Sequence, residues 1–135
     1  MIVFDTDVIS RMMRKSPPDA LVRRMAGLDP ADQATTTINL AELIYGAARS
    51  DRAGHLMGII EGWLLPNLAV LPFDLAAALH HGRLKADLEK LGTPLSEPDL
   101  GIASICISVG ATLATGNLRH FDRVPGLAVE DWLGG

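Results

Sequence analysis

The first ten residues read Met1-Ile2-Val3-Phe4-Asp5-Thr6-Asp7-Val8-Ile9-Ser10. The run from Ile2 to Phe4 is short, apolar and β-prone, and it ends at the acidic turn Asp5-Thr6-Asp7. Helix-compatible residues follow from Val8 to Arg14, before the breakers Pro17 and Pro18. The opening therefore predicts a strand, a turn and a helix.

The same alternation continues along the chain. Four further short strands are predicted, at Gln33–Thr37, Leu68–Leu71, Ala111–Thr115 and Leu127–Glu130. Helices are predicted at Asp19–Gly27, Ile38–Arg49, Asp51–Leu65 (stopped by Pro66), Leu75–Leu91 and Pro98–Val109, with a helical turn at Leu118–Phe121. Because the strands are apolar runs separated by helices, we expect an α/β fold with a mostly parallel sheet of about five short strands and helices on both faces.

Composition narrows the class of protein. The chain has 135 residues, 48% of them hydrophobic, which suits one domain over 1–135 with a real core. Sixteen acids against twelve bases give a net charge of −4, so any nucleic acid must be bound locally rather than by bulk charge. Clusters of bases that could reach phosphates occur at Arg11, Arg14 and Lys15, at Arg23 and Arg24, and at Arg119 and Arg123.

The single cysteine and the apolar runs bear on the compartment. Cys106 lies in an apolar segment and can form neither an internal disulfide nor a cysteine-rich metal site. We expect it in the core. No stretch has the pattern of a signal peptide or the length of a membrane span, so we expect a cytoplasmic protein.

Acidic side chains follow the predicted strands. Asp5 and Asp7 come directly after the first strand, Glu42 lies in the first turns after the second, and Asp99 lies in the first turn of the apolar helix Pro98–Val109. Asn117 follows the strand that ends at Thr115. Each has an ordinary structural explanation, as a helix cap, a turn or a solvated helix stripe. As a set, however, they would converge at the carboxyl edge of a parallel sheet, where ligands bind in such folds.

A cluster of this kind needs a counter-charge. Carboxylates about 5 Å apart repel by about 3 kcal/mol per pair at an effective dielectric of about 20. No lysine lies within five residues of Asp5, Glu42 or Asp99. Hard oxygen ligands favour a divalent cation such as Mg²⁺, with Mn²⁺ as a substitute. Such a centre lowers the pKa of bound water and stabilises a phosphoryl displacement, which predicts phosphodiester hydrolysis.

Four segments in this order resemble a known family. They are Ile2-Val3-Phe4-Asp5-Thr6-Asp7-Val8-Ile9-Ser10, Ala41-Glu42-Leu43, Asp99-Leu100-Gly101-Ile102-Ala103 and Thr115-Gly116-Asn117. The chain resembles the PIN-domain ribonucleases, most closely the VapC-like toxins of toxin–antitoxin pairs, over essentially its whole length. The resemblance implies a single PIN-like nuclease domain over 1–135, with the three-layer fold of that family.

The resemblance also implies a site and partners. It assigns the metal to Asp5, Glu42 and Asp99, with Asn117 as a fourth catalytic position and with Asp7, Thr6 and Thr115 in support. Asp7 stands where the family more often has Asn, and Asn117 where many members have Asp, which leaves the number of direct metal ligands open. It further implies an RNA substrate cut to 5′-phosphate and 3′-hydroxyl ends, a homodimer and a cognate antitoxin protein.

Other residues receive ordinary roles at this stage. The histidines are expected to be surface or packing residues: His55, His80, His81 and His120. The apolar residues of the first two helices, Leu21, Met12, Met13 and Met25, are expected in the core, with a groove for an antitoxin helix as the alternative.

Two other functions remain open from the sequence. A haloacid-dehalogenase-like phosphatase also starts with a strand that ends in Asp-x-Asp, but it needs a nearby lysine and a late acid pair, whereas the lysines here are Lys15, Lys85 and Lys90. A receiver-like domain that binds Mg²⁺ without catalysis needs a lysine at the end of its last strand, and none follows Leu113 or Val129. Both fit less well than a nuclease.

Overall fold

The sheet has five strands, all parallel. The computed structural model describes residues 1–134, and Gly135, the last residue of the predicted domain, lies outside the described residues. The strands are β1 (Ile2–Phe4), β2 (Gln33–Thr36), β3 (Ala69–Leu71), β4 (Thr112–Thr115) and β5 (Ala128–Asp131), in the order β3-β2-β1-β4-β5. Neighbouring strands pair in parallel throughout. The predicted α/β fold with a five-stranded, largely parallel sheet is confirmed.

The register aligns the ends of the strands. β1 is the central strand, with Ile2 opposite Gln33 on one side and Phe4 opposite Ala114 on the other. The carboxyl ends of β1, β2 and β4 therefore lie at one edge of the sheet. In a parallel sheet this edge is where side chains from different segments meet.

Within residues 1–134, eight α-helices connect the strands. They are α1 (Thr6–Met12), α2 (Asp19–Ala26), α3 (Thr37–Arg49), α4 (Ala53–Ile59), α5 (Leu65–Asn67), α6 (Leu75–Lys90), α7 (Glu97–Val109) and α8 (Leu118–Phe121). Side-chain oxygens cap the longer ones: Thr36 accepts from Asn39 N, Asp74 from Ala77 N and Ser96 from Asp99 N. No helix within residues 1–134 combines the length and the apolar character needed to cross a membrane.

The sheet is buried on both faces. One core contains Val3, Leu88, Ile102, Leu113 and Phe121, and the other contains Phe4, Ile9, Leu43, Leu64 and Trp132. Alternate residues of β1 thus serve opposite cores, which gives the predicted three-layer arrangement.

Several packing predictions are confirmed by these cores. Cys106 is fully buried, and burial raises the pKa of its thiol to about 12. Leu21 and Met25 are also core residues, whereas Met12 and Met13 are half-buried at its margin.

One helix differs from its prediction. The helix expected over Asp51–Leu65 begins at Ala53, widens to a π-helix over Ile60–Leu64 and continues as α5 through Pro66 to Asn67. The prediction that Pro66 stops it was wrong. In the π turn the Leu65 N–H bonds to the carbonyl of Ile60, five residues earlier. The wider turn leaves space for a proline ring that would clash with the carbonyl four residues earlier in a regular helix.

Candidate active site

Asp5 lies at the centre of the carboxyl edge of the sheet, directly after β1. It is only 6% exposed and caps the N-terminus of α1. Its Oδ1 accepts hydrogen bonds from Thr6 N at 2.9 Å and from Asn39 Nδ2 at 3.0 Å, and its Oδ2 accepts one from Thr115 Oγ1 at 2.7 Å. Three donors from three segments therefore hold this carboxylate in one orientation.

Asn39 connects Asp5 to the second strand. It is fully buried in the first turn of α3. Its Nδ2 donates to Asp5 Oδ1 and to Thr6 Oγ1, both at 3.0 Å, and its Oδ1 accepts from Thr36 Oγ1 at 2.7 Å. Because the nitrogen and the oxygen of its side-chain amide both have hydrogen-bond partners, Asn39 fixes the position of α3 relative to Asp5.

Glu42 lies one turn further along α3. Its Oε1 accepts a hydrogen bond from Thr6 Oγ1 at 3.0 Å. The Thr6 hydroxyl itself accepts from Asn39, so the three side chains form a chain of hydrogen bonds from Asn39 to Glu42. Thr6, which was predicted to support the site, therefore contacts a predicted metal ligand directly.

Asp99 reaches the same edge from α7. Ser96 caps this helix and accepts from Asp99 N at 3.3 Å, which places Asp99 in the first turn, as predicted. α7 approaches α3 closely at Gly101, where the side chain of Ile38 occupies the space that a Cβ would need. This glycine allows the helices that carry Glu42 and Asp99 to pack together. His120 Nδ1 lies 3.6 Å from Asp99 Oδ2.

The loop after β4 completes the edge. Thr115 is buried and binds Asp5, and its Oγ1 also accepts from Asn117 N at 3.0 Å. Gly116 N donates to Asp7 Oδ2 at 2.9 Å. Asn117 occupies the N-cap position of α8, but its side chain makes no capping hydrogen bond. The explanation of Asn117 as a helix cap therefore finds no support within residues 1–134.

Three of these carboxyl groups have raised pKa values. Burial raises the pKa of Asp7 and of Asp99, and the nearby charge of Asp5 raises both further. Partial burial also raises the pKa of Glu42, which the charges of Asp5 and Asp99 raise further, while the hydrogen bond from Thr6 lowers it. The charge of Asp5 thus contributes to the raised pKa of each of the other three acids, which places the four acids in one electrostatic environment.

The acids carry little positive compensation. Within residues 1–134, none of Asp5, Asp7 and Glu42 belongs to an ion pair, and Asp99 meets only the exposed imidazole of His120. Asp7 Oδ1 is buried without a hydrogen-bond partner. No group of three His, Cys, Asp or Glu side chains in this part of the chain already has the spacing of a metal-ligand set.

The chemistry of the donors nevertheless fits a hard divalent cation. Asp5, Glu42 and Asp99 offer carboxylate oxygens, and their charges repel one another. A cation would reduce that repulsion, and a water on it would give the buried Asp7 Oδ1 a partner. Asp5, Glu42 and Asp99, with Asp7 beside them, are therefore the candidate ligands for such an ion.

Sequence reasoning missed two members of the site. Asn39 lies three residues before Glu42 in α3 and is fully buried, and no role was predicted for it from the sequence. The signal was its place in the first turn after β2, next to the capping Thr36. His120 was expected at the surface or in packing, and it is indeed exposed, yet it also contacts Asp99.

Comparisons with known proteins agree with this geometry. Residues 2–127 match the PIN domain family. The tRNA(fMet)-specific endonuclease VapC of Salmonella typhimurium is 35% identical over 130 residues, 96% of each chain. Ribonuclease VapC2 of Haemophilus influenzae is 32% identical over 131 residues, 97% of each chain.

A solved structure gives the same result. The crystal structure of VapBC2 from Rickettsia felis, bound to a DNA fragment from the promoter, matches with a TM-score of 0.89 and 30% identity, over 98% of this chain and 99% of that one. These matches decide against the phosphatase and receiver alternatives and confirm the predicted resemblance. The chain belongs to the PIN domain family, among the VapC-like ribonucleases.

Proposed function

We propose that this protein is a Mg²⁺- or Mn²⁺-dependent endoribonuclease and the toxin of a toxin–antitoxin pair. The observation that carries the proposal is the meeting of Asp5, Glu42 and Asp99 at the carboxyl edge of the sheet, where the charge of Asp5 raises the pKa values of Glu42 and Asp99 and, within residues 1–134, no lysine or arginine forms an ion pair with any of the three. The names of the relatives, ribonuclease VapC and tRNA(fMet)-specific endonuclease VapC, support RNA as the substrate class.

In this proposal Asp5, Glu42 and Asp99 hold the metal. When bound, the ion supplies an acidified water and stabilises negative charge on the phosphate. The protein contributes the orientation of its own groups. Asn39 and Thr115 fix the two oxygens of Asp5, and Thr6 fixes Glu42 Oε1. Asp7 accepts a hydrogen bond from the loop Thr115–Asn117, and Asn117 belongs to that loop. Both would act on water or on the phosphate rather than as principal ligands.

A cognate antitoxin is the proposed protein partner. Crystal structures of VapBC from Salmonella typhimurium and of VapBC-1 from Haemophilus influenzae superpose with this chain at TM-scores of 0.88, with 35% and 34% identity. One surface that suits an apolar helix lies beside α2, where Met12, Val22 and Trp63 line a cavity of about 250 Å³. Because the proposed substrate is cellular RNA, we propose the cytoplasm as the compartment in which the pair acts.

A homodimer is the proposed assembly. Large apolar side chains are exposed on α3 and near the start of α6. Tyr45 is 62% exposed, Leu75 is 77% exposed and Leu79 is 66% exposed. Clustered exposed apolar side chains typically mark an interface. Light scattering of the wild type and of Leu79→Glu tests the assembly: a dimer that becomes monomeric supports it, and a monomeric wild type contradicts it.

Cleavage of RNA by the purified protein tests the activity. We expect total RNA to be cut with Mg²⁺ or Mn²⁺ and to stay intact with EDTA, giving products with 5′-phosphate and 3′-hydroxyl ends. Asp5→Asn and Asp99→Asn should abolish cleavage, because each removes a metal-binding charge. Asp87→Asn, on the exposed face of α6, is the matched control and should cleave like the wild type.

Three results would count against the proposal. They are activity retained in both site variants, cleavage that persists in EDTA, and release of phosphate from small phosphomonoesters without any cleavage of RNA. Folding must be checked in each variant by its melting temperature. Asp5→Asn should keep its fold, since the Thr115 hydroxyl is able to accept from an amide as well as donate to a carboxylate.

A further inference from the structure

A cavity of about 400 Å³ adjoins the predicted site at Glu42. It lies between α1, α3 and α4, and Thr6 and Glu42 form its wall nearest the site. Its other walls are largely apolar, with Met13, Leu43 and Leu56 among the lining residues. The proposed catalytic centre thus opens directly into an apolar space large enough for a small ligand group.

Two arginines line the same cavity. Arg14 comes from the turn after α1, and Arg52 is the N-cap residue of α4. Within residues 1–134 neither belongs to an ion pair, and the arginine side chains that donate hydrogen bonds are those of Arg24, Arg49 and Arg123. In a chain of net charge −4, two uncommitted guanidinium groups beside an acidic centre are a local concentration of positive charge.

We propose that this cavity is a nucleotide subsite of the ribonuclease: it receives the unstacked base next to the cleaved bond, while Arg14 and Arg52 bind the adjoining phosphates. The proposal rests on the proposed ribonuclease activity and adds where the enzyme reads its RNA. Sequence preference would then come from the shape of an apolar pocket.

The combination of apolar walls and two arginines favours single-stranded RNA as the occupant of the cavity. A flipped-out base has an apolar face that packs on side chains such as Met13 and Leu56. The adjoining phosphate is negatively charged, and a guanidinium group binds it through two parallel hydrogen bonds. Glu42 lines the cavity and also belongs to the proposed metal site, so the two are in direct contact.

Gly46→Leu is the sharpest test of the cavity. Gly46 lines the cavity on α3, and a Cβ there meets no atom within 4 Å, so a larger side chain fills the space without a clash. Leucine also suits a helix interior better than glycine, so the melting temperature should hold or rise. Gly58→Leu is the matched control, because Gly58 lies in α4, is equally open and is not among the residues that line the cavity.

The arginines are tested separately, with Arg14→Gln and Arg52→Gln, and with Arg83→Gln on the exposed face of α6 as control. The probe is a pool of randomised single-stranded RNA. Binding is measured by fluorescence anisotropy in the background of the inactive Asp5→Asn variant, at several salt concentrations. Base preference next to the cut is read by sequencing the products of the active proteins.

We expect Gly46→Leu to weaken RNA binding about tenfold, as for loss of one stacked base, and to flatten the base preference at one position beside the cut. Each arginine variant should reduce the slope of log binding constant against log salt by about 0.7. If the wild type cuts no RNA, the proposed function fails. If it cuts RNA but the cavity and arginine variants bind and select RNA as their controls do, the subsite is overturned. Lost inhibition by the antitoxin in those same variants would then assign the cavity to the protein partner.

Discussion

The side-chain amide of Asn39 donates a hydrogen bond to Oδ1 of Asp5 at 3.0 Å, and both residues are buried. Asn39→Ala removes this bond, leaves Asp5 Oδ1 with only the bond from Thr6 N, and leaves the buried Thr36 hydroxyl without its acceptor. We expect a loss of roughly 1–3 kcal/mol in the free energy of unfolding. Cleavage should also fall, though less than in Asp5→Asn, because the Asp5 carboxylate remains. Chemical denaturation and cleavage assays measure the two effects.

Asn67→Ala is the matched control for that variant. Asn67 is exposed and donates only to the Trp63 carbonyl at the end of the π segment. It should change neither quantity by much. Equal effects of the two substitutions on stability and activity would mean that Asn39 does not position Asp5.

Metal binding should stabilise the protein. A ligand that binds only the folded state adds about 2.7 kcal/mol when its concentration is 100 times its dissociation constant. Millimolar Mg²⁺ or Mn²⁺ should therefore raise the melting temperature, and EDTA should reverse the change. Asp99→Asn should lose most of this gain, whereas Asp87→Asn should keep it. Identical melting curves with and without metal would argue against a metal centre.

The carboxyl groups of Asp7, Glu42 and Asp99 should make the metal-free protein more stable at mildly acidic pH than at neutral pH. The pKa values of Asp7, Glu42 and Asp99 are raised in the folded state, because burial and neighbouring acids disfavour the charged form. Folding therefore takes up protons, and stability rises as the pH falls through the raised pKa values. Below the ordinary carboxyl range, near pH ~4, both states are protonated and the gain stops growing.

Melting temperatures in EDTA across this pH range measure the effect. Asp7→Asn should flatten the curve relative to the wild type, and Asp87→Asn should not. This comparison separates the effect of the site from that of exposed groups whose pKa shift has the opposite direction. Glu97 is one of these, because its hydrogen bond with Lys85 lowers its pKa. A wild-type curve that falls steadily from neutral to mildly acidic pH would contradict the prediction.

Asn117 should influence metal binding more than stability. Its side chain is exposed and makes no capping bond, so Asn117→Ala should leave the melting temperature nearly unchanged while it weakens cleavage. Asn117→Asp should keep activity and tighten metal binding, because a further carboxylate attracts the cation. Calorimetric titration with Mn²⁺ measures the affinity. Unchanged affinity in Asn117→Asp, with full activity in Asn117→Ala, would remove Asn117 from the site.

A glycine should be needed at position 116 for the position of Asp7, because the backbone of Gly116 approaches that side chain closely. A Cβ at Gly116 would lie 2.7 Å from Asp7 Oδ2 and 2.7 Å from Leu133 Cδ1. Gly116→Ala should therefore displace Asp7, weaken its bond to Gly116 N and lower stability by about 1 kcal/mol. Cleavage should decrease with it. Gly54→Ala, where a Cβ meets nothing within 4 Å, is the control. Wild-type melting and cleavage in Gly116→Ala would contradict this.

The sequence by itself determined the order of strands and helices and, for β1, β3 and β4, the residue that ends the strand. Apolar runs such as Ile2–Phe4, interrupted by acids, glycines and prolines, are local signals, because strand and helix formation depend on neighbours along the chain. The positions of Asp5, Glu42 and Asp99 followed from the same signals, since a parallel sheet brings its carboxyl ends together. The family resemblance added the roles of these acids.

Only the tertiary structure decided which side chains surround those acids. Asn39 and Asp5 are 34 residues apart, and Thr115 and Asp5 are 110 apart, so their hydrogen bonds depend on how α3 and β4 pack against β1. The π segment before Pro66 and the placing of Arg14 and Arg52 in one cavity have the same origin. Burial and packing between distant segments select these contacts, and a local pattern in the sequence carries no record of them.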